Sequence, residues 1–539
     1  MDLRPIIDRA RDEVREIMAR DGLPGVSVAL VQGGEPVWLE AFGQTRLEGG
    51  GPVDPHTIFS LQSTSKNITA VAVMIVVQQG LLDLDAPITR YLPAFSVASR
   101  HEPAPQEKMT LRLLLSHRAG FTHEAPVGGN FDELAAYEHP SFEEHVESIS
   151  RTWLRFPVGR RYAYSNLGID LAGDILARAC GTSFAEALRT LIFEPLGMAD
   201  TNVDPEVYAA EQNRAIGHQP GFPAVPTPVP MQAAGGVYSS AADMARFAAF
   251  HLGRGSLGGR EILRRELWDE MHRLSFGGYP YALCVLRRRL DFESGPVALF
   301  GHNGGGFGFG CCFYYCPDQQ LAWVTLFNQL ASPGVGGPPF DNVALRPALE
   351  AELGKPRRAE PPRPPVVRLE PPSIARHAGN YVGGFGLVAI EPDDGGLTLR
   401  GPIDPQPNRL AFTGPDRAYI SEGPLATHGL QFHPPHGQEA AWIEFDTGVA
   451  FDLSDQADAP PGRLGDAYDA WLGNYDVVQW GVPVPLFSAP LRKNNGYLYF
   501  GRNRLTEHLP GLFFTADGEA IDLRGPEPTF RNIVLHRAP

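Results

Sequence analysis

The chain has 539 residues, more than one ordinary hydrophobic core holds, so we expect two or three domains. Its composition, 43% hydrophobic and 20% charged, is typical of a globular protein and excludes wholesale disorder. The balance of 46 basic against 62 acidic residues gives a formal net charge of −16, which repels polyphosphate, so we expect no nucleic acid partner.

Cysteine usage and the first residues indicate the compartment. The 5 cysteines form an odd set without the spacing of metal ligands, which favours reduced, buried thiols over a disulfide framework. The first 18 residues alternate charged and apolar positions at helical spacing and lack the apolar run of an export signal. The longest apolar runs, such as residues 70–77, are far shorter than the roughly 20 residues that cross a bilayer. We therefore expect a cytoplasmic protein with no membrane partner.

The first 353 residues combine sheet and helix patterns. After the opening amphipathic helix, residues 26–31 and 37–42 flank a glycine turn and predict a β-hairpin. Helical patterns dominate from there to about residue 272. Strand patterns return at 281–290, 297–300, 308–316 and 321–327, before a last helix over 343–353. The sequence therefore predicts an α/β (α+β) domain over residues 1–353, in which one antiparallel sheet is flanked by helices and joined to a helical lobe.

A proline-rich stretch separates this domain from a different kind of sequence. Residues 354–373 disfavour helix and sheet interiors and favour an extended linker. Beyond them, short alternating segments between Gly, Pro and Asn-rich turns predict all-β barrels or sandwiches. Residues 378–381 (AGNY) and 472–475 (LGNY) open two similar stretches. We interpret these as two β modules, residues 374–460 and 461–539, although two halves of one barrel would give the same repeat.

The first candidate for chemistry is Ser63-Thr64-Ser65-Lys66, which opens an apolar helix ending near Gly80. The i to i+3 spacing places the Ser63 hydroxyl and the Lys66 amine on one helix face, one turn apart. A serine hydroxyl becomes a good nucleophile when a nearby base removes its proton, and a desolvated lysine can be that base. An isolated S-x-x-K is usually a capping serine and a solvated lysine. Here the lysine precedes an apolar run, and burying a lysine is costly, so the pair is a candidate for nucleophilic catalysis.

Two further motifs could supply the remaining groups. Tyr164 and Asn166 lie before a predicted helix, where the phenol could exchange a proton with the lysine and the amide could bind a substrate carbonyl. His302, Gly304 and Gly305 lie between two predicted strands, where glycines allow a substrate to approach the backbone and an N–H to bind a developing oxyanion. Each motif alone has an ordinary structural interpretation, as a packed tyrosine or as a glycine-rich hairpin.

All three motifs in this order make residues 5–353 similar to the serine β-lactamase and penicillin-binding superfamily. The branch it resembles contains class C β-lactamases, DD-peptidases, D-aminopeptidases and related esterases. The similarity extends to LRLLLSHRAGF at 111–121, EPLGMADT at 194–201 and AAGGVYSSAADMARF at 233–247.

The resemblance implies a role for each motif residue. Ser63 would be the nucleophile, with Lys66 and Tyr164 as its general acid and base partners. Asn166, His302, Gly304 and Gly305 would bind substrate, and the N–H groups of Ser63 and Gly305 would form the oxyanion hole. No metal or other cofactor is implied.

One departure from the family pattern narrows the function. Class C β-lactamases usually carry Lys-Thr-Gly at the third motif, whereas His302-Asn303-Gly304 looks more like the peptidases and aminopeptidases of the branch, so a cephalosporinase is disfavoured. The β modules are similar to the lipocalin-like C-terminal modules of D-aminopeptidase-like members, which can border the active site.

The leading hypothesis is a serine hydrolase that cleaves amide bonds of small peptides or amino-acid derivatives through an acyl-enzyme on Ser63. Linearised microcystin is one peptide that the resemblance suggests. An esterase or acyl transferase, and a non-catalytic binding protein that keeps the fold, are the alternatives. Neither the substrate's stereochemistry nor the oligomeric state follows from the sequence, and a homodimer is one option.

Overall fold

A computed structural model of the chain describes residues 2–538 except 130–139, 219–229, 278, 331–339, 341–342, 357–364, 371–373, 384–385, 394–395, 402–405, 423–427, 435–440, 446–448, 454–463, 465, 478–486, 495 and 502. Parts of the linker predicted over 354–373 lie outside the described residues, as do parts of two irregular loops that follow Phe121 and Ala210.

The first domain is built on one large antiparallel sheet. The first ten strands of the chain are β1 (Gly25–Gln32), β2 (Glu35–Gly43), β3 (Phe59–Ser60), β4 (Tyr238–Ser239), β5 (Ser256–Leu257), β6 (Arg260–Glu261), β7 (Leu286–Phe292), β8 (Gly295–Gly306), β9 (Phe309–Cys316) and β10 (Leu321–Phe327). Six of them form the sheet β2-β1-β10-β9-β8-β7, while β3 pairs with β4 and β5 with β6. The hairpin predicted from the glycine turn is therefore confirmed, and distant strands complete its sheet as the sequence predicts.

Helices cover both faces of this sheet and form the lobe beside it. They are α1 (Arg4–Asp21), α2 (Ser65–Gln78), α3 (Leu111–Leu115), α4 (Pro126–Gly129), α5 (Phe142–Ile149), α6 (Asn166–Cys180), α7 (Phe184–Leu188), α8 (Glu194–Leu196), α9 (Pro205–Ala210), α10 (Gln232–Gly235), α11 (Ala241–Leu252), α12 (Arg265–His272) and α13 (Leu345–Leu353). Short 3₁₀ and π turns connect several of them. No described helix has the length and apolar character needed to cross a bilayer.

Side chains on β9 alternate between two cores. Cys312 and Cys316 pack in one core with α1 and α13, whereas Cys311 packs in the other with α2 and α11. Because successive strand residues point to opposite faces, a strand covered by helices on both sides is buried throughout, and every residue of β9 is buried. The five cysteines are free thiols, and four of them are buried as the sequence predicts, whereas Cys180 is partly exposed.

One predicted strand begins later than expected. The sequence predicts a strand from residue 281, but β7 begins at Leu286. A tight turn, closed by a bond from the Ala282 N–H to the Val285 carbonyl, precedes it, and Cys284 within this turn has a φ of 54°. A left-handed residue cannot continue an extended strand, so the residues from Tyr281 to Val285 form a separate corner.

The C-terminal residues form two separate β structures. A closed barrel consists of β11 (Gly379–Gly383), β12 (Gly386–Asp393), β13 (Gly396–Arg400), β14 (Asn408–Gly414), β15 (Arg417–Glu422), β16 (Gly429–His433), β17 (Trp442–Phe445) and β18 (Ala450–Leu453). A second sheet contains β19 (Gly473–Val477), β20 (Phe487–Asn494), β21 (Tyr497–Phe500), β22 (Asn503–Arg504), β23 (Thr506–Leu509), β24 (Leu512–Phe514), β25 (Ala520–Asp522), β26 (Thr529–Phe530) and β27 (Ile533–Arg537). The predicted all-β character of the C-terminal region is confirmed; its likeness to lipocalins stays a prediction.

The two similar stretches that the sequence shows have similar local structure. The hydroxyl of Tyr381 donates to the His377 carbonyl at 3.0 Å, and that of Tyr475 donates to the Trp471 carbonyl at 2.7 Å. Each tyrosine lies on the first strand of its own sheet and bonds four residues back along the chain.

Candidate active site

Ser63 lies in a sharp turn at the start of α2. The turn is a 3₁₀ segment, Gln62–Thr64, that leads directly into the helix. Gln62 has a φ of 51°, a left-handed conformation that is strained for a residue other than glycine, and its amide donates to the Ser60 hydroxyl at 2.7 Å. The Ser63 side chain is consequently partly exposed, at the point where the buried helix begins.

Lys66 is fully buried one turn after Ser63. Its Nζ lies 3.0 Å from Ser63 Oγ, 2.9 Å from Asn166 Oδ1 and 2.7 Å from the Ala234 carbonyl oxygen. These three contacts use all three donors of an ammonium group. In the neutral amine the amide and carbonyl oxygens, which only accept, take the two N–H bonds, and the lone pair faces the serine hydroxyl. The geometry therefore suits proton transfer between Ser63 and Lys66.

A buried pair, His145 and Asp170, holds Ala234, the residue whose carbonyl Lys66 binds. The Ala234 N–H donates to Asp170 Oδ1 at 3.0 Å, and His145 Nε2 lies 3.1 Å from Asp170 Oδ2. His145 Nδ1 donates to the Val127 carbonyl at 2.7 Å, so both ring nitrogens face acceptors. Burial alone would lower the pKa of His145, but the hydrogen bond and charge of Asp170 raise it overall. This pair therefore holds the N–H of Ala234, the residue whose carbonyl accepts from Lys66.

Tyr164 covers Lys66 from the second motif. The Lys66 Nζ is 4.9 Å from the centroid of the Tyr164 ring, within the range of a cation–π contact. Ser165, the next residue, caps α6 by accepting the Leu167 N–H at 3.2 Å. Asn166 is the first residue of α6, so the cap places its amide beside Lys66.

A chain of hydrogen bonds joins His302 of the third motif to His117, whose ring packs against Tyr164. The Ser165 N–H donates to His117 Nδ1 at 3.2 Å, His117 Nε2 bonds the Tyr281 hydroxyl at 3.2 Å, and that hydroxyl bonds His302 Nε2 at 2.8 Å. His302 Nδ1 lies 2.6 Å from the Asn303 carbonyl.

The direction of these hydrogen bonds determines which ring nitrogen carries the proton in His117 and in His302. Because His117 Nδ1 accepts, its proton is on Nε2 and is donated to Tyr281; the tyrosine then donates to His302 Nε2, and His302 Nδ1–H donates to the carbonyl. Burial, with the nearby Lys66 charge, lowers the pKa of His302 to about 3 and that of His117 well below its usual value. Both rings are therefore neutral near pH 7.

The glycines of the third motif differ in their surroundings. A Cβ on Gly304 would lie 2.0 Å from the Leu61 carbonyl oxygen, so only glycine lets β8 pack this closely on the nucleophile turn. At Gly305 such a Cβ would make only an ordinary van der Waals contact, 3.8 Å from Leu330 Cδ2. The Thr64 hydroxyl donates to the His302 carbonyl at 3.3 Å and joins the same strand to the start of α2.

The structure brings together the residues that the sequence singles out. Ser63 and Tyr164 are partly exposed, whereas Lys66 and His302 are buried. Ser63, Lys66 and Asn166 are linked by direct bonds, and Tyr164 lies over Lys66. The His302 ring is buried, with both nitrogens bonded to protein groups.

Sequence reasoning missed six contributors to the site: His117, His123, His145, Asp170, Ala234 and Tyr281. The ring of His117 lies 4.2 Å and that of His123 lies 5.8 Å from the Tyr164 ring. His117 and Ala234 fall within stretches that resemble family motifs, which is the signal that could have found them. Among the described residues, no group of three or more His, Cys, Asp or Glu side chains could hold a metal ion.

Comparisons with known proteins give a family and a range of relatives. A family model described as Beta-lactamase matches residues 10–346. Esterase EstB of Burkholderia gladioli is 32% identical over 199 residues, which cover 35% of this chain and 50% of EstB. The D-alanyl-D-alanine-carboxypeptidase/endopeptidase AmpH of Escherichia coli (strain K12) is 27% identical over 326 residues, covering 59% of this chain and 81% of AmpH. The chain thus spans half the length of EstB and most of AmpH.

The fold is also similar to solved structures. A crystal structure of SurE superposes with a TM-score of 0.60 at 24% identity, covering 83% of this chain and 99% of SurE. A class C beta lactamase from Rhodobacter sphaeroides superposes with a TM-score of 0.52, also at 24% identity, and covers 64% of this chain and 99% of that enzyme. At this level of identity the likeness concerns the fold alone.

Proposed function

Because the chain belongs to the Beta-lactamase family, we propose that it is a serine hydrolase that forms an acyl-enzyme on Ser63. The observation that carries the proposal is the 3.0 Å contact between the Ser63 hydroxyl and a fully buried Lys66 amine whose other two contacts are to acceptors. A desolvated amine in this setting is poised to take a hydroxyl proton.

The reaction proceeds in two halves. In the first, Lys66 accepts the Ser63 proton as Oγ attacks the substrate carbonyl, and the N–H groups of Ser63 and Gly305 bind the resulting oxyanion. The leaving amine or alkoxide takes a proton from Tyr164 or Lys66, and the acyl group stays on Ser63. In the second half, Lys66 or Tyr164 takes a proton from the water that attacks the acyl-serine ester. The proton then returns to Ser63 Oγ as the acid is released.

The substrates we favour are small peptides or amino-acid derivatives with a cleavable amide bond. Similarity to AmpH, whose name states a D-alanyl-D-alanine carboxypeptidase and endopeptidase, supports this class, as does His302 in place of a lysine at the third motif. A linear peptide such as linearised microcystin is one candidate. Esters are the second candidate, favoured by the 32% identity to Esterase EstB.

A substrate panel tests the proposal and separates the two classes. Rates on D-alanyl and L-alanyl anilides are compared with rates on p-nitrophenyl esters for the wild type, Ser63→Ala and Ser65→Ala. Ser65 is the matched control, because its hydroxyl accepts the Val237 N–H at 3.1 Å and is buried in the same turn.

We expect activity in the wild type and Ser65→Ala and none in Ser63→Ala. Activity confined to esters would favour the esterase. A wild type inert toward the whole panel would instead favour a non-catalytic binding protein and contradict the proposal.

A further inference from the structure

A tight turn of the second C-terminal sheet packs against the first domain. Residues 515–519 connect β24 to β25, and Gly518 at its tip has a φ of 83°. A Cβ on Gly518 would lie 2.4 Å from the Arg155 carbonyl oxygen. The turn therefore lies directly on the backbone of the first domain, at a distance that only glycine allows.

A buried ion cluster fastens this turn. The Glu519 side chain is fully buried, and its Oε1 lies 2.9 Å from Arg155 Nε and 3.0 Å from Arg531 Nε. Its other oxygen, Oε2, accepts the Thr122 hydroxyl at 2.7 Å, and Arg155 also pairs with Asp517 at 3.2 Å. A buried carboxylate is costly unless its charge is paired and its oxygens are hydrogen-bonded. Here Oε2 accepts a hydrogen bond, while Oε1 lies within ion-pair distance of both arginines without the geometry of a hydrogen bond. The cluster therefore joins the C-terminal sheet to two residues of the first domain, Arg155 and Thr122.

The residue held by Glu519 contacts the second motif. The Thr122 carbonyl accepts the Ser165 hydroxyl at 2.6 Å, and Ser165 follows Tyr164 and caps α6. His123, the next residue, stacks its ring on Tyr164 at 5.8 Å.

The sheet also holds the other end of this short segment. The Asn532 amide donates to the Glu124 carbonyl at 2.8 Å. The β sheet thus binds Thr122 and Glu124, on either side of the histidine that packs on Tyr164.

We propose that Glu519 is a positioning residue for the Ser63 site, because it holds residues 122–124 so that Ser165 and His123 keep Tyr164 over Lys66. The inference rests on the proposed acylation of Ser63 and adds to it a contribution from the C-terminal sheet. Removing the Glu519 charge leaves the buried Arg155 and the partly exposed Arg531 without their shared carboxylate and lets the segment move. A displacement of about 1 Å in a proton-transfer group is enough to lower a rate by about 100-fold.

The test compares Glu519→Gln with Asp522→Asn in the full-length protein. Asp522 lies three residues further along, at the end of β25, and its partly exposed carboxylate pairs with Arg524 at 2.6 Å. The measurements are the labelling rate of Ser63 by a fluorophosphonate, the kcat and KM for p-nitrophenyl acetate, and the thermal midpoint.

We expect Glu519→Gln to lower the labelling rate and kcat by about 10-fold or more while KM changes by less than about 2-fold, because so small a substrate makes few contacts beyond the reacting centre. Asp522→Asn should stay within about 2-fold of the wild type in all three quantities. A lower thermal midpoint with an unchanged kcat would show a purely structural role and overturn the proposal.

Thr122→Val supplies a second, milder variant that keeps the proposal falsifiable if Glu519→Gln does not fold. It removes only the hydroxyl that donates to Glu519 and should slow labelling by about 3-fold or more. In the double variant the two losses should not multiply, because both act through one contact. A wild-type labelling rate in Thr122→Val would overturn the inference.

Hydrogen exchange separates this inference from the proposed function. Peptides covering residues 118–125 and 163–168 should exchange faster in Glu519→Gln than in Asp522→Asn, whether or not the protein is active. Equal exchange in the two variants contradicts the positioning role. A wild type that is not labelled at Ser63 defeats the proposed function, and the positioning role falls with it.

Discussion

The hydroxyl of Tyr281 is the only link between His117 and His302 among the bonds described for the site, and Tyr281→Phe removes it. The substitution keeps the ring but deletes an oxygen that bonds one imidazole at 3.2 Å and the other at 2.8 Å. It leaves one buried donor, on His117, and one buried acceptor, on His302. Each buried polar group without a partner costs about 1–3 kcal/mol, so the pair should cost about 2–6 kcal/mol of stability.

Two measurements follow this loss in the Tyr281→Phe protein. The thermal midpoint of the first domain should fall by at least about 2–3 °C, because a domain of about 350 residues that loses 2 kcal/mol unfolds with an entropy of about 0.7 kcal/mol/K. The labelling rate of Ser63 by a fluorophosphonate should fall by about 10-fold, because the His117 ring lies 4.2 Å and the His302 ring 6.4 Å from the Tyr164 ring, which covers Lys66.

Tyr315→Phe is the matched control for this prediction. Its hydroxyl bonds His272 Nε2 at 2.7 Å in the core, and burial lowers the pKa of His272 to about 3, as it does for His302. This variant should lose about 1–3 kcal/mol of stability but change the Ser63 labelling rate by less than 2-fold. Equal labelling rates in the two variants, or a Tyr281→Phe protein as stable as the wild type, would refute the reasoning.

Two further predictions concern groups that bind or support Lys66. Lys66→Met, which keeps the length of the side chain but removes the base, should lower the Ser63 labelling rate by about 10²–10⁴-fold, and a rate within 3-fold of the wild type would contradict a proton-transfer role. The raised pKa of His145 means that its pair with Asp170 stabilises the fold below the unfolded-state pKa of about 6.5, and that this stability is lost as pH rises through the folded-state pKa. Between pH 5.5 and 9 the thermal midpoint of the wild type should therefore fall further than that of Asp170→Asn, and parallel curves would show that the pair does not titrate as described.

The sequence predicts the parts of the site that depend on local geometry. The spacing of Ser63 and Lys66 predicts one helix face, and the structure has the two groups in contact because the 3₁₀ turn that carries Ser63 leads directly into the first turn of α2, which carries Lys66. The same applies to Asn166, whose position at the start of α6 follows from the serine that caps the helix.

The parts that the sequence does not predict depend on contacts between distant segments. Tyr281 was expected to begin a strand, but its hydroxyl joins two histidines from other elements, and only the folded chain shows this. Gly304 was expected to admit substrate, and the structure adds a close contact with the Leu61 carbonyl. Glu519 lies in a polar turn that looks solvated in sequence, and its burial arises only from docking of one domain on another.

Trapping the acyl-enzyme tests the central claim most directly. The wild type is mixed with a p-nitrophenyl ester, quenched with acid within one turnover and digested, and the peptides are weighed by mass spectrometry. The account predicts that the acyl mass is added to the peptide carrying Ser63, at Ser63 itself, and that no peptide gains it in Ser63→Ala. An acyl group on another residue, or turnover by the Ser63→Ala protein at the wild-type rate, would contradict it.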